Sequence, residues 1–132
     1  MFVDASAAVA IILHEAEREL LRVKLNSSSR RFTSAMAVFE TVLAIRRVTQ
    51  SPVSDAVATV EQFQEVFNIV SVNIEPQFAI IALDAFKQFG RGQAHPARLN
   101  MGDCFAYACA KSLKVPLLCK GDDFIHTDIR LA

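Results

Sequence analysis

Short apolar runs separated by helix-patterned intervals constrain this chain more than any other feature. Phe2–Val3, Arg31–Thr33, Ile69–Val72 and Val115–Cys119 each read as a short strand. Between them lie segments whose apolar residues recur at i, i+3 and i+4, the spacing of one helix face. Parallel strands need long crossover connections, usually helices, so this alternation predicts an α/β fold with a mostly parallel central sheet. Crossovers of one hand return each strand with its carboxyl end on the same edge of the sheet. In open α/β sheets that edge is where ligands bind.

The helical intervals are expected at Ala5 to Leu25, with a bend near His14–Glu15, then Ala35 to Gln50, Ser54 to Phe67, Pro76 to Phe89 and Cys104 to Leu113. Their punctuation is chemical. Asn26–Ser29 is a loop by composition, Ser34 is a helix N-cap, and Ser51–Pro52 ends the helix before it. Gly90 is expected as a C-terminal stop. Arg91 to Asn100 is the longest irregular connection, and Thr127–Leu131 is expected as a last short strand. Residues 1–132 are expected to form a single domain.

Bulk properties narrow the function classes. A hydrophobic fraction of 52% and a mean hydropathy of +0.29 exclude a disordered chain. No apolar run approaches the roughly 18–20 residues that a membrane helix requires, so no membrane partner is expected. The apolar surplus instead points to an oligomer or a bound protein. Fourteen basic and fourteen acidic residues cancel, so net charge does not mark a nucleic-acid binder. Three cysteines, an odd number without a signal peptide, fit a cytoplasmic location. Neither CxxC nor HExxH occurs, which argues against a thiolate-rich zinc site. The ten phenylalanines are core material and offer no base-stacking platform.

Four acidic positions stand out against this background. Asp4 directly follows Phe2–Val3, where it either caps the next helix or faces a ligand at the strand edge. Glu40 interrupts an apolar helix face near Met36, Ala37, Leu43 and Ala44, which is costly unless the carboxylate snorkels, pairs with Arg47 or has a functional partner. Asp103 lies in the first turn of its helix, where a carboxylate suits the dipole, beside the small residues Ala106 and Ala110. Asp122 and Asp123 occupy a turn at the end of the last main strand. The topology brings all four positions toward one sheet edge. Clustered carboxylates repel one another unless a cation joins them, and oxygen-only ligands favour Mg²⁺ or Mn²⁺. Such ions hold phosphodiesters and activate water, so metal-assisted hydrolysis of nucleic acid is the natural reaction class.

Several motifs carry a family resemblance. Phe-Val-Asp-x-Ser-Ala at the start, a mid-chain helical glutamate, Leu-Asn-x-Gly-Asp-Cys-Phe-x-Tyr-Ala from Leu99 and Pro-Leu-Leu-x-Lys-Gly-x-Asp-Phe from Pro116 resemble PIN-domain ribonucleases, specifically VapC-type toxins. The resemblance spans essentially the whole chain. It implies a PIN-like three-layer α/β/α sandwich, a homodimer, Mg²⁺-dependent endoribonuclease activity on RNA, and inhibition by a cognate VapB-type antitoxin. It assigns Asp4 and Asp103 as metal ligands and Glu40 as a third acid, direct or through water. Many relatives carry an aspartate where Gly121 stands here, so Asp122 is preferred as the fourth catalytic acid, with Asp123 left open. Ser6 matches a hydroxyl that orients a ligand or water, and it can also cap the helix. Arg91, Arg98 and Lys120 are the candidate substrate contacts. A weak or vestigial binding module, or a maturation or DNA-directed nuclease of the same fold, is the competing expectation.

Overall fold

The computed structural model describes residues 1–132. Its sheet has four strands, β1 (Phe2–Val3), β2 (Arg31–Ser34), β3 (Ile69–Val72) and β4 (Leu117–Leu118), in the order β3-β2-β1-β4. All three pairings are parallel, as the alternating pattern predicts. Phe2 stands in register with both Phe32 and Leu117, so β1 occupies the interior of the sheet. Strands buried on both faces read as continuous apolar runs, which is why Phe2–Val3 and Leu117–Leu118 show no polar alternation.

Side chains alternate across a strand, and here the alternation separates two cores. Phe2 and Leu117 join Phe78, Ala82, Leu99, Tyr107 and Phe124 on one side. Val3 and Leu118 join Ala7, Ile11, Leu21, Leu25 and Phe63 on the other. The first core is roofed by α5 (Pro76–Phe89) and α6 (Met101–Leu113). The second is covered by α1 (Ala5–Ile12), α2 (Arg18–Asn26) and α4 (Val53–Val66). Between α4 and β2 in the chain runs α3 (Ala35–Thr49), whose Val42 and Ile45 pack on Ala56 and Val60 of α4. The result is a three-layer α/β/α sandwich.

Local differences from the expected elements have identifiable causes. The first helical interval breaks cleanly into α1 and α2, because His14 adopts a left-handed backbone with φ of 59°. Gly90 ends α5 without a left-handed turn, at φ −70° and ψ 159°. A Cβ there would overlap the Phe86 carbonyl and ring, so close approach is what requires glycine. The last main strand shrinks to Leu117–Leu118, since Pro116 donates no N–H and the chain turns at Gly121 with φ of 84°. The expected strand at Thr127–Leu131 reduces to one bridge, Leu131 with Leu117, because Thr127 turns back to donate to the Phe124 carbonyl. Helix α6 starts earlier than Cys104: Asn100 and Asp103 form a reciprocal capping box, so Met101 is already helical.

Candidate functional site

At the carboxyl edge of β1, Asp4 closes the strand and opens α1. Its backbone N–H donates to the Leu118 carbonyl at 2.9 Å, and its side chain caps the helix. Asp4 Oδ2 accepts from the Ser6 N–H at 3.0 Å and from the Ser6 hydroxyl at 2.5 Å. The same hydroxyl accepts the Lys120 backbone N–H at 2.9 Å. Asp4 is therefore the cap, while Ser6 is a bridge that ties the β1–α1 junction to the end of β4. Both side-chain bonds fall on Oδ2 of a residue only 4% exposed. Burial pushes the Asp4 carboxyl above the usual range, against the opposing Ser6 hydrogen bonds, and Asp123 adds to the rise.

Asp103 arrives on the first turn of α6. Its Oδ2 accepts the Asn100 N–H at 2.7 Å, and Asn100 Oδ1 accepts the Asp103 N–H at 3.0 Å. Sequence already suggests the cap; the structure adds that capping fixes only one oxygen of a carboxylate that also faces the cleft. Burial raises Asp103 to about 6, with Asp4 and Asp123 reinforcing the rise, while the Asn100 N–H and the Arg91 charge oppose it.

Glu40 projects from α3 toward the start of α6. Gly102 makes room for it: a Cβ at Gly102 would overlap the Glu40 carboxylate. This explains the glycine directly before Asp103, a position where helix propensity alone would favour alanine. Glu40 is pushed up to about 7, first by burial and then by the charges of Asp4 and Asp103. No ion pair joins it to Arg47; the ion pairs of the structure involve Arg18, Arg22, Lys111 and Lys120. The stripe-edge pairing allowed by the sequence does not form.

These side chains line one cleft of about 430 Å³, together with Ala5, Val9, Glu15, Ala44, Arg47, Asn100, Lys120 and Asp123. Asp4, Glu40 and Asp103 thus come together from three separate elements. Besides Glu15, which Lys120 holds, the further acid in the cleft is Asp123, and the preferred Asp122 is not part of its lining. The reason is local. Both aspartates are exposed, but Asp123 directly precedes Phe124, which is buried at 2% exposure and anchors that end of the turn beside the site. The charge of Asp123 acts on both Asp4 and Asp103.

The expected substrate contacts divide. Lys120 lines the cleft, but its ammonium is held by Glu15 at 2.5 Å and Glu17 at 3.3 Å, at the α1–α2 turn. Arg91 is close enough to lower the Asp103 pKa without lining the cleft. Arg98 is exposed, with φ of 52°, and lies outside the lining. Sequence reasoning missed Glu15 and the cleft position of Arg47. Glu15 carries no motif and is recognisable only once its partner Lys120, 105 residues away, is known. Cys119 sits beside the acids as well; burial and the Asp4 charge push its thiol up to about 12, so it remains protonated.

No three His, Cys, Asp or Glu side chains are gathered closely enough to hold one ion between them. The cleft is instead an open set of carboxylates: Asp4 and Asp103 are each anchored through one oxygen, and the charges of Asp4, Asp103 and Asp123 raise other acids of the set.

Comparisons with known proteins agree with this architecture. The family model for the PIN domain matches residues 1–130. Ribonuclease VapC42 of Mycobacterium tuberculosis is 37% identical over 132 residues, covering 100% of this chain and 98% of the relative. A VapC ribonuclease of Rhizobium meliloti is 34% identical over 139 residues, covering 97% and 98%. The crystal structure of M. tuberculosis VapC20, described as a sarcin-ricin loop cleaving toxin, superposes with a TM-score of 0.75 at 16% identity. It covers 99% of this chain and 97% of that one, a likeness of fold.

Proposed function

The chain belongs to the PIN domain family and, within it, to the VapC ribonucleases, and on that premise we propose that it is an Mg²⁺-dependent endoribonuclease acting as the toxin of a toxin–antitoxin pair. The single observation that carries the reading is the convergence of Asp4, Glu40, Asp103 and Asp123 on one cleft at the carboxyl edge of a parallel sheet.

The donor set fits a hard divalent cation, Mg²⁺ or Mn²⁺. All its donors are oxygens, and the hydrogen bonds that orient Asp4 and Asp103 engage only Oδ2 of each. Mg²⁺ is commonly held by one or two carboxylates and completes its shell with water, so two carboxylates are enough to hold it where no third ligand stands close. Asp4 and Asp103 would hold the ion directly, with Glu40 and Asp123 acting directly or through water. When bound, the ion supplies charge neutralisation at the phosphodiester and a water of lowered pKa.

The chain's own residues do the rest. Ser6 fixes the Asp4 carboxylate and aligns it with the end of β4. Asn100 does the same for Asp103. Gly102 leaves the space in which Glu40 reaches the other acids. Purified protein with Mg²⁺ or Mn²⁺ is expected to cut RNA, and Asp4→Asn or Asp103→Asn to abolish cutting. Cleavage that survives both substitutions in nuclease-free preparations overturns the proposal, and parallel digestion of single-stranded DNA tests the DNA-directed alternative.

Exposed Leu20, Val23, Phe39, Leu43 and Val48 support two protein partners, a VapB-type antitoxin and a second copy of this chain. Light scattering at high concentration tests the homodimer. No helix is long and apolar enough to cross a membrane, and a cytoplasmic site of action is part of the proposal.

One observation favours a second reading, a PIN-fold module with weak or vestigial catalysis: no tight three-ligand group is present. Thermal melts separate the two, since an ion that binds the native state raises its melting temperature by mass action. No shift at millimolar Mg²⁺ favours the vestigial module.

A further inference from the structure

The acids do not account for the whole cleft. Glu40, Ala44 and Arg47 follow at i, i+4 and i+7 along one face of α3, and all three line it. Arg47 stands about 10 Å along the helix axis from Glu40, at roughly 1.5 Å per residue. Helical side chains lean toward the N-terminus, which sends Arg47 back over Ala44 toward the carboxylates. The methyl of Ala44 leaves that path open.

Only two basic side chains line the cleft, Lys120 and Arg47. Lys120 is committed to Glu15 and Glu17. Arg47 takes part in none of the ion pairs, and the hydrogen bond at this residue uses its backbone carbonyl, which accepts from Gln50. Its guanidinium is a permanent charge with a fork of donors matched to phosphate. The bland account is that it complements the α3 dipole, since Arg46 and Arg47 both lie in the last turn. That account applies equally to Arg46, which is exposed as Arg47 is but lies outside the cleft lining. The dipole therefore does not explain why only one of the pair lines the cleft.

We propose that Arg47 binds a backbone phosphate flanking the scissile one and lays the RNA strand along α3. This rests on the ribonuclease reading above. A nucleic-acid strand in an acid-lined cleft needs a cation beyond the cutting site, and Arg47 is the uncommitted one. The contact is to phosphate, so it positions the strand without reading its sequence.

The test compares Arg47→Ala, Arg47→Lys and Arg46→Ala in an Asp103→Asn background, which is expected not to cut. Binding of a fluorescein-labelled single-stranded RNA is followed by anisotropy across a KCl series. Arg47→Ala is expected to weaken binding about 10-fold, the effect of one charge-assisted phosphate contact. It should also reduce the magnitude of the log Kd–log salt slope by about 0.7, the value for one phosphate of a single strand. Arg47→Lys should fall between, and Arg46→Ala should bind as the parent does. In the cutting-competent protein, Arg47→Ala should raise KM with kcat within about threefold. Unchanged affinity and slope for Arg47→Ala overturn the inference while leaving the ribonuclease reading intact, and equal losses at Arg46 and Arg47 overturn it in favour of diffuse charge. A parent protein that neither binds nor cuts RNA overturns the ribonuclease reading itself, and this inference with it.

Discussion

Replacing Glu40 by glutamine should stabilise the protein while disabling it. The Glu40 carboxyl rises from an ordinary 4.5 to about 7, because folding half-buries it and sets it near Asp4 and Asp103. A carboxyl raised on folding is favoured in its protonated form. Its stabilising contribution is therefore complete below about pH 4.5 and is lost as pH climbs through about 7. At pH 8 without divalent ions, the folded chain carries a charge that the unfolded chain would hydrate freely. At about 1.4 kcal/mol per pKa unit the gap amounts to about 3 kcal/mol. The side chain is only partly buried, and solvent screening leaves about 1–2 kcal/mol. Glutamine keeps the shape without the charge, and Glu40 has no ion-pair partner to lose. For a chain of this length that corresponds to a melting temperature higher by roughly 3–8 °C. Calorimetry in EDTA at pH 8 and pH 5 is the assay. The gain should be clear at pH 8 and nearly absent at pH 5, and the increment that Mg²⁺ gives the parent should shrink in the variant. A Glu40→Gln protein that melts at or below the parent at pH 8 refutes the reasoning, because the carboxylate would then be satisfied rather than repelled.

Gly102→Ala should separate stability from activity in another way. The added Cβ displaces the flexible end of Glu40 rather than backbone, and alanine favours the helix by about 1 kcal/mol, so urea denaturation should show little loss while RNA cleavage falls at least about 10-fold. Asp123→Asn should reduce cleavage by about 10-fold or more, whereas Asp122→Asn should leave it within about twofold, since only Asp123 lines the cleft; equal effects in a gel-based cleavage assay would contradict the placement. Arg31→Ala should cost about 2 kcal/mol in urea denaturation, because its guanidinium donates to the carbonyls of Leu25 at 2.8 Å and Phe67 at 2.6 Å, near the ends of α2 and α4.

The layer order and the parallel sheet follow from period and spacing, which act locally and leave a trace in the sequence. Phe2–Val3 next to Asp4 announces a buried strand and its polar edge with adjacent residues. Asn100-x-Gly102-Asp103 announces both a cap and a close approach. What the sequence conceals is the result of packing at long range. Nothing about Lys120 alone says that its ammonium is taken by Glu15 and Glu17 across 105 and 103 positions. Asp122 and Asp123 are indistinguishable by type, and the burial of Phe124 decides between them. Arg47 sits at helical spacing from Glu40, which suggests an ion pair, yet the pair does not form. Spacing puts two residues on one face; it does not say which of them the neighbouring elements will engage.

The same logic explains how a structural cap and a ligand-binding acid share one residue. A cap needs one carboxylate oxygen, and a cation needs another. Asp4 gives Oδ2 to Ser6, and Asp103 gives Oδ2 to Asn100. Each bond restricts rotation of the carboxylate, so its remaining oxygen is aimed without further ordering cost. Glu40 and Asp123 have no such anchors; Glu40 is confined by the space at Gly102, and Asp123 by its neighbour Phe124. The anchored pair should therefore set where an ion binds, and the confined pair how tightly. Asp4→Asn and Glu40→Gln measured by calorimetric Mg²⁺ titration address this directly: the first should eliminate binding, and the second should weaken it by about 10-fold to 100-fold. Loss of binding in Glu40→Gln with retention in Asp4→Asn would reverse the assignment.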